Sequence, residues 1–270
     1  MALTTRDQLV AAVAAALDSP FYKASITSVA GFFYSTFRAA AGMPGASSLS
    51  TPTTTGAALS SASSGALAVP AYSSGKTTYL AGAQVAGSVV GGVLLCDRLV
   101  EYGGLSGTST SAQTLSSVTL PTRAGTGQGC QIWLDWYTAT GSTAVTATVS
   151  YTNSAATAGR SGSVSVAAST PANRCLPLSM AAGDVGVQAA ASVTLSATTG
   201  TAGNFGLTIR KPIQFFAMPV VAIPAFMGYA ETALSQIPDD SNSSACLELL
   251  VLASTTSTGN IQGMLNLAQG

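Results

Sequence analysis

Two stretches, Gln131-Ile-Trp-Leu-Asp-Trp-Tyr137 and Val145-Thr-Ala-Thr-Val-Ser-Tyr151, decide the fold. In the first, Ile132, Leu134 and Trp136 alternate with Gln131, Trp133, Asp135 and Tyr137. In the second, Val145, Ala147, Val149 and Tyr151 alternate with threonine and serine. Val164 with Val166, Val193 with Leu195, and Phe205, Leu207 and Ile209 continue the pattern. A period of two places one set of side chains in a core and the other outward. Breaks at Gly141, 159–162, 183–186 and 200–206 recur at sandwich or barrel spacing. The reading is a mainly β chain with an antiparallel β-sandwich or jelly-roll-like domain, preceded by a short two-helix N-terminal arm.

Working outward, three regions follow: a helical arm over 1–45, a Ser/Thr/Ala/Gly-rich extended linker over 46–76, and a β-rich domain with a docking tail over 77–270. Thr5 and Gln8 fit a capping box, and Leu9, Val13 and Leu17 recur behind it. Asp18-Ser-Pro20 should break that helix. A second helix is predicted from Ser25, with Ile26, Val29, Ala30, Phe33 and Phe37 on one face. Residues 77–96 carry no charge and include Gly87-Ser-Val-Val-Gly91, but their threonines and glycines favour buried strands over a membrane helix. A 44-residue offset relates 147–159 to 191–203, which suggests two similar hairpins. Pro212, Pro219 and Pro224 punctuate an uncharged apolar segment suited to edge strands under an interface. Cys246-Leu-Glu-Leu-Leu-Val-Leu252 reads as a final strand, and 259–270 as a polar tail with Ile261, Met264 and Leu265 free to dock.

Composition narrows function. Of 270 residues only 7% are charged, ten basic balancing ten acidic, against about 25% in ordinary domains. Such a chain has little electrostatic pull on nucleic acid or membranes and little repulsion between copies of itself. A surface largely covered by neighbours in an assembly suits these numbers. The chain contains no histidine, which removes Ser-His-Asp and Cys-His designs. Cys96, Cys130, Cys175 and Cys246 are widely spaced and read as buried thiols, with one or two disulfides left open. No cofactor, metal or catalytic set is predicted. Asp135 between its tryptophans reads as an outward strand residue. Asp239, Asp240 and Asn242 read as a solvated turn. Asp97, Arg98 and Glu101 form the densest charge cluster, either a local ion pair or a polar seam between subunits. With Phe33, Phe37, Phe215 and Phe216 they are the candidate interface residues.

Arg98-Leu-Val-Glu-Tyr-Gly-Gly-Leu-Ser-Gly107 followed by Gln131-Ile-Trp-Leu-Asp-Trp-Tyr-Thr138 resembles virion structural proteins of tailed bacteriophages and prophages. Thr148-Val-Ser-Tyr-Thr-Asn153, Ala182-Gly-Asp184 and Thr199-Gly-Thr-Ala-Gly-Asn-Phe-Gly206 extend the resemblance over roughly residues 80–210. It implies a non-enzymatic, many-copy component of the virion, assembled in the host cytoplasm, most simply a capsid decoration (cement) or shell protein. Its partners would be copies of itself, as a trimer or higher homo-oligomer, and phage capsid subunits, with no nucleic acid or membrane partner. A tail, neck or fibre protein is the first alternative. A carbohydrate-binding module using Trp133, Trp136 and Tyr137 as an exposed platform is the second, and buried indoles would exclude it.

Overall fold

A computed structural model of the chain describes residues 5–38, 41–47, 54–200, 203–230, 232–241 and 244–270. Helix α1 (Arg6–Ala14) is followed by strands β1 (Leu17–Lys23), β2 (Phe33–Ser35), β3 (Gly42–Met43), β4 (Ala57–Ala58), β5 (Thr78–Gly87) and β6 (Gly91–Ser106). Next come β7 (Gln113–Thr114), β8 (Gln131–Trp136), β9 (Val145–Asn153), β10 (Arg160–Val166), β11 (Arg174–Pro177) and β12 (Val187–Leu195). The last are β13 (Asn204–Met218), β14 (Ala225–Met227), β15 (Gln236–Ile237), β16 (Leu247–Ala253) and β17 (Ile261–Gln269). Every pairing between these strands is antiparallel.

The central feature is a closed wall. Strands run in the order β13-β8-β11-β2-β16-β6, and β6 pairs back with β13, so the ring has no free edge; β4 adds at the side of β6. Closure requires bending, and three register shifts along the β6–β13 ladder supply it. Gly206 sits in one of them, where a Cβ would fall 1.9 Å from the Tyr102 carbonyl oxygen and 1.9 Å from the Tyr137 hydroxyl. Pro212 lies just past the last β8 pair, beside another shift, where its missing N–H costs the ladder least.

Two open sheets lie against the outside of this wall. A four-stranded sheet (β10-β9-β12-β7) buries Val149, Tyr151, Val193 and Leu195 with Leu134, Trp136, Phe205 and Ile209 of the wall. A six-stranded sheet (β14-β5-β17-β1-β3, with β15 on β5) buries Leu80, Val85, Leu265 and Leu267 with Val93, Leu95, Leu249 and Phe216. Each apolar core is a facing pair of sheets, closed by alternate residues of the same long strands, β6 and β13.

The mainly β, antiparallel expectation holds, and the two-helix arm does not. Thr5 caps α1 with the reciprocal Gln8 contact, but that helix stops at Ala14, and Asp18 and Pro20 lie within β1. The second helix is absent: Phe33 and Tyr34 belong to β2, and Gly31 adopts a φ of +82° ahead of it. The reason is tertiary. β2 fills the gap in the wall between β11 and β16, and Thr36 N–H donates to the Leu249 carbonyl. Ladder partners on both sides outweigh the local four-residue spacing. The segment predicted as a docking tail is β17, a central strand of the six-stranded sheet. Of the two predicted hairpins, β9–β10 forms, while β12 and β13 enter different sheets. The uncharged stretch at 77–96 forms β5 and the start of β6, and among the described residues no helix is long and apolar enough to cross a membrane.

Candidate assembly face and charged barrel interior

Alternation puts Val93, Leu95, Leu247, Leu249, Ile132 and Leu134 on the outside of the wall, so their neighbours face its lumen. Charged groups from four strands, β6, β8, β13 and β16, meet there. Arg210 of β13 grips Asp135 of β8 through Nη1–Oδ1 at 2.9 Å and Nη2–Oδ2 at 2.7 Å, and its Nε donates to Glu248 of β16. Arg98 of β6 lies 2.5 Å from Glu101, 3.8 Å from Glu248 and 3.9 Å from Asp135. Arg38 also pairs with Glu101 and stacks over the Tyr137 ring at 3.9 Å. Thr208 and Ser35 hydroxyls donate to Asp135 and Glu248 at 2.6 and 3.1 Å. Three guanidinium groups thus meet three carboxylates, with Arg98, Arg210 and Glu101 fully buried and the Arg38 side chain 7% exposed.

A bulge makes this set possible. Strict alternation would send Arg98 and Glu101 to opposite faces, but the register jumps from Arg98 to Val100, skipping Leu99. Both side chains therefore face inward. Burial by itself would raise the Asp135 carboxyl; the charge and hydrogen bonds of Arg210 overcome it and hold Asp135 well below the usual carboxylate range. Burial wins at Glu101, whose carboxyl is raised despite Arg98 and Arg38. Cys96 and Cys175 share the lumen with Trp133 and Leu250, and burial pushes both thiols far up. All four cysteines are free and buried, the simplest of the sequence readings. Among the described residues no group of three His, Cys, Asp or Glu side chains is placed to hold a metal. What the charged lumen can do is tie four elements of the wall together.

The residues predicted at an interface are mostly inside the chain. Asp97, Arg98 and Glu101 make ion pairs within the chain, Asp97 with Arg123 at 2.8 Å. Phe37 packs under Arg98 at 4.3 Å, Phe216 lies in the second core, and half-buried Phe33 meets the Trp133 ring edge-on at 5.4 Å. Phe215 alone of the seven is exposed. Asp135 faces the lumen, correcting its outward assignment, because Trp133 and Asp135 share one face of β8 while Trp136 takes the other. Both indoles are buried, Trp133 2% exposed and Trp136 fully covered, so the sugar-stacking platform does not exist. Sequence reasoning missed Arg210 and Glu248 as partners. Their signal was available: in so charge-poor a chain, a charge embedded in an apolar strand needs a buried partner.

The exposed apolar surface lies elsewhere, and it is one-sided. Of fifteen exposed large apolar side chains among the described residues, ten belong to the six-stranded sheet, to α1 packed on it, or to the segment around β14. Val10, Val13, Leu17, Tyr22 and Met43 stand on α1, β1 and β3. Phe226 is 71% exposed and Ile223 58%, with Val220, Val221 and Tyr229 beside them in sequence. No charge interrupts residues 212–230. The outward residues of the four-stranded sheet are instead hydroxyls: Thr146, Thr148, Ser161, Ser163 and Ser165.

No family model matches the chain, and no curated protein matches it. Among solved structures, the VP2 subviral particle of infectious bursal disease virus overlays at a TM-score of 0.23 and 13% identity, covering 75% of this chain and 43% of that one. The chain thus spans less than half the length of that structure, and an overlay this loose establishes no common fold.

Proposed function

We propose that this chain is a non-enzymatic structural subunit that works in many copies, with the six-stranded sheet and the β14 segment as its face toward neighbours. In its finer form the proposal is a capsid decoration or shell protein of a tailed phage, which the resemblance over residues 80–210 suggests. The observation that carries the reading is the one-sided apolar surface. Monomeric proteins keep contiguous apolar patches small, and larger ones mark contact surfaces. Here that surface is uncharged across the β14 segment and joined to a wall locked from inside by ion pairs. A rigid body with one adhesive face and one hydroxyl-covered face suits a protein that coats or completes a shell. β14 also ends its sheet, which leaves one side of its backbone open to strand addition.

The test is the copy number and position of this chain in purified particles, by quantitative gel and cryo-electron microscopy. Hundreds of copies on an icosahedral shell, with Phe226 and Ile223 facing a neighbour, are expected. A dozen or fewer at one vertex would move the protein to the neck or tail. Absence from particles would remove the virion reading altogether.

A further inference from the structure

Five of the chain's seven arginines pair with carboxylates, and Arg6 is exposed on α1. Arg174 differs. It is 4% exposed and, among the described residues, forms no ion pair. Its Nη1 donates to the Thr170 hydroxyl at 3.2 Å, its Cζ lies 3.2 Å from the centre of the Phe32 ring, and its Nε is buried with no acceptor. Thr170 is itself fixed by donating to the Ala167 carbonyl at 2.8 Å. The guanidinium is therefore held in one place with its charge unanswered, a costly arrangement. It also lines an open cavity of about 440 Å³, between the barrel wall and the rim of the four-stranded sheet.

We propose that this cavity binds a carboxylate carried on a compact apolar body. One guanidinium balances one negative charge, which suits a carboxylate; a phosphate dianion would call for a second cation, and the cavity lining has none. The remaining lining divides as such a ligand would require. Phe32, Val145 and Val166 supply apolar wall, and Thr146, Ser165 and Ser196 supply hydroxyls. The Ser196 oxygen already accepts from the Thr146 N–H at 2.9 Å, so its own O–H is left to donate. The volume falls within the range of small-ligand pockets, at roughly 300–1,000 Å³. The carboxylate has two sources of the same chemistry, a free small acid or an acidic side chain of a neighbouring copy. This inference does not depend on the apolar face described above.

The test is titration of the intact chain with butyrate, read by calorimetry and by the thermal midpoint, with butyramide and inorganic phosphate as controls. Butyrate should bind with a dissociation constant on the order of millimolar and raise the midpoint, and the two controls should do neither. Arg174→Met should weaken binding by about tenfold or more. If that variant does not fold, Ser196→Ala, which keeps the arginine, should weaken butyrate by roughly threefold. Equal binding of butyramide or phosphate, unchanged binding by Arg174→Met, or no butyrate binding at all would overturn the proposal. Sedimentation velocity separates the sources. Dissociation of an oligomer by butyrate assigns the carboxylate to a neighbouring copy, and an unchanged sedimentation coefficient with butyrate bound assigns it to a free acid.

Discussion

The two sides of the barrel wall are built from the same strands and solve burial in opposite ways. On β16, Leu247, Leu249 and Val251 face outward into an apolar core, while Glu248 faces the lumen with Arg210 and Arg98. On β8, Ile132, Leu134 and Trp136 face outward while Asp135 takes the bidentate grip of Arg210. The outer side is held by shape and area and tolerates a change of volume at graded cost. The inner side is held by charge, where desolvation has been met only because every carboxylate has a cation. The comparison teaches that a wall with both faces buried need not be apolar on both. A balanced ion network can fill a narrow lumen and fix which strands close the ring.

The largest expected effect comes from the inner side. Arg210→Met leaves Asp135 and Glu248 buried without their main partner and should cost about 3–5 kcal/mol, read as a fall in the urea midpoint. A loss below about 1 kcal/mol would mean that water reaches the lumen. On the outer side, Leu249→Ala should cost roughly 2–4 kcal/mol by lost burial and a residual cavity. Its effect should be insensitive to pH, which sharpens the contrast between the two sides.

Acid should distinguish two carboxylates within the lumen itself. Asp135 is held below its ordinary value, so its contribution is complete above about pH 4 and is lost as pH falls further toward its folded value. Glu101 is raised, so its ionised form is the less favourable one at neutral pH, and the strain it adds is relieved as pH drops toward its ordinary range. Urea midpoints followed from pH 7 to 3 should therefore fall mainly below pH 4. Glu101→Gln should remove the relief, and Asp135→Asn the late loss. A midpoint that falls steadily from pH 7 would contradict the assignment of both groups.

The smallest effect on stability should come from the outermost surface. Phe226→Asp and Thr148→Asp should each shift stability by no more than about 0.5 kcal/mol. Only the first should abolish self-association or particle attachment, as read by sedimentation. Equal effects of the two would erase the distinction between the apolar face and the hydroxyl face.

Much of the fold was legible. The alternation at 131–137 and 145–151, the strand at 246–252 and the capping box at Thr5 and Gln8 all form where local pattern places them. The proline-punctuated segment after Pro212 carries Phe226, which is 71% exposed. The seven interface residues fared differently because a period-two reading assigns a face without saying what lies over it. Phe37, Asp97, Arg98, Glu101 and Phe216 are covered by this chain itself. Helical spacing over 25–37 misled because the wall lacked a strand, and only the closed ring supplies partners for β2 on both sides.

By itself the sequence determined strand content, the strand periodicity and the scarcity of charge; that all four thiols are unpaired came from the structure. The first three follow from side-chain chemistry repeated over short distances. Tertiary structure alone decided that the sheet closes, that a bulge at Leu99 turns Arg98 and Glu101 to the same side, and that β17 lies inside a sheet. It alone also decided that Arg174 is left without a carboxylate among the described residues. Each of these depends on residues far apart in the chain meeting at one place, and the energy of an ion pair or a ladder hydrogen bond is set by that meeting rather than by local composition.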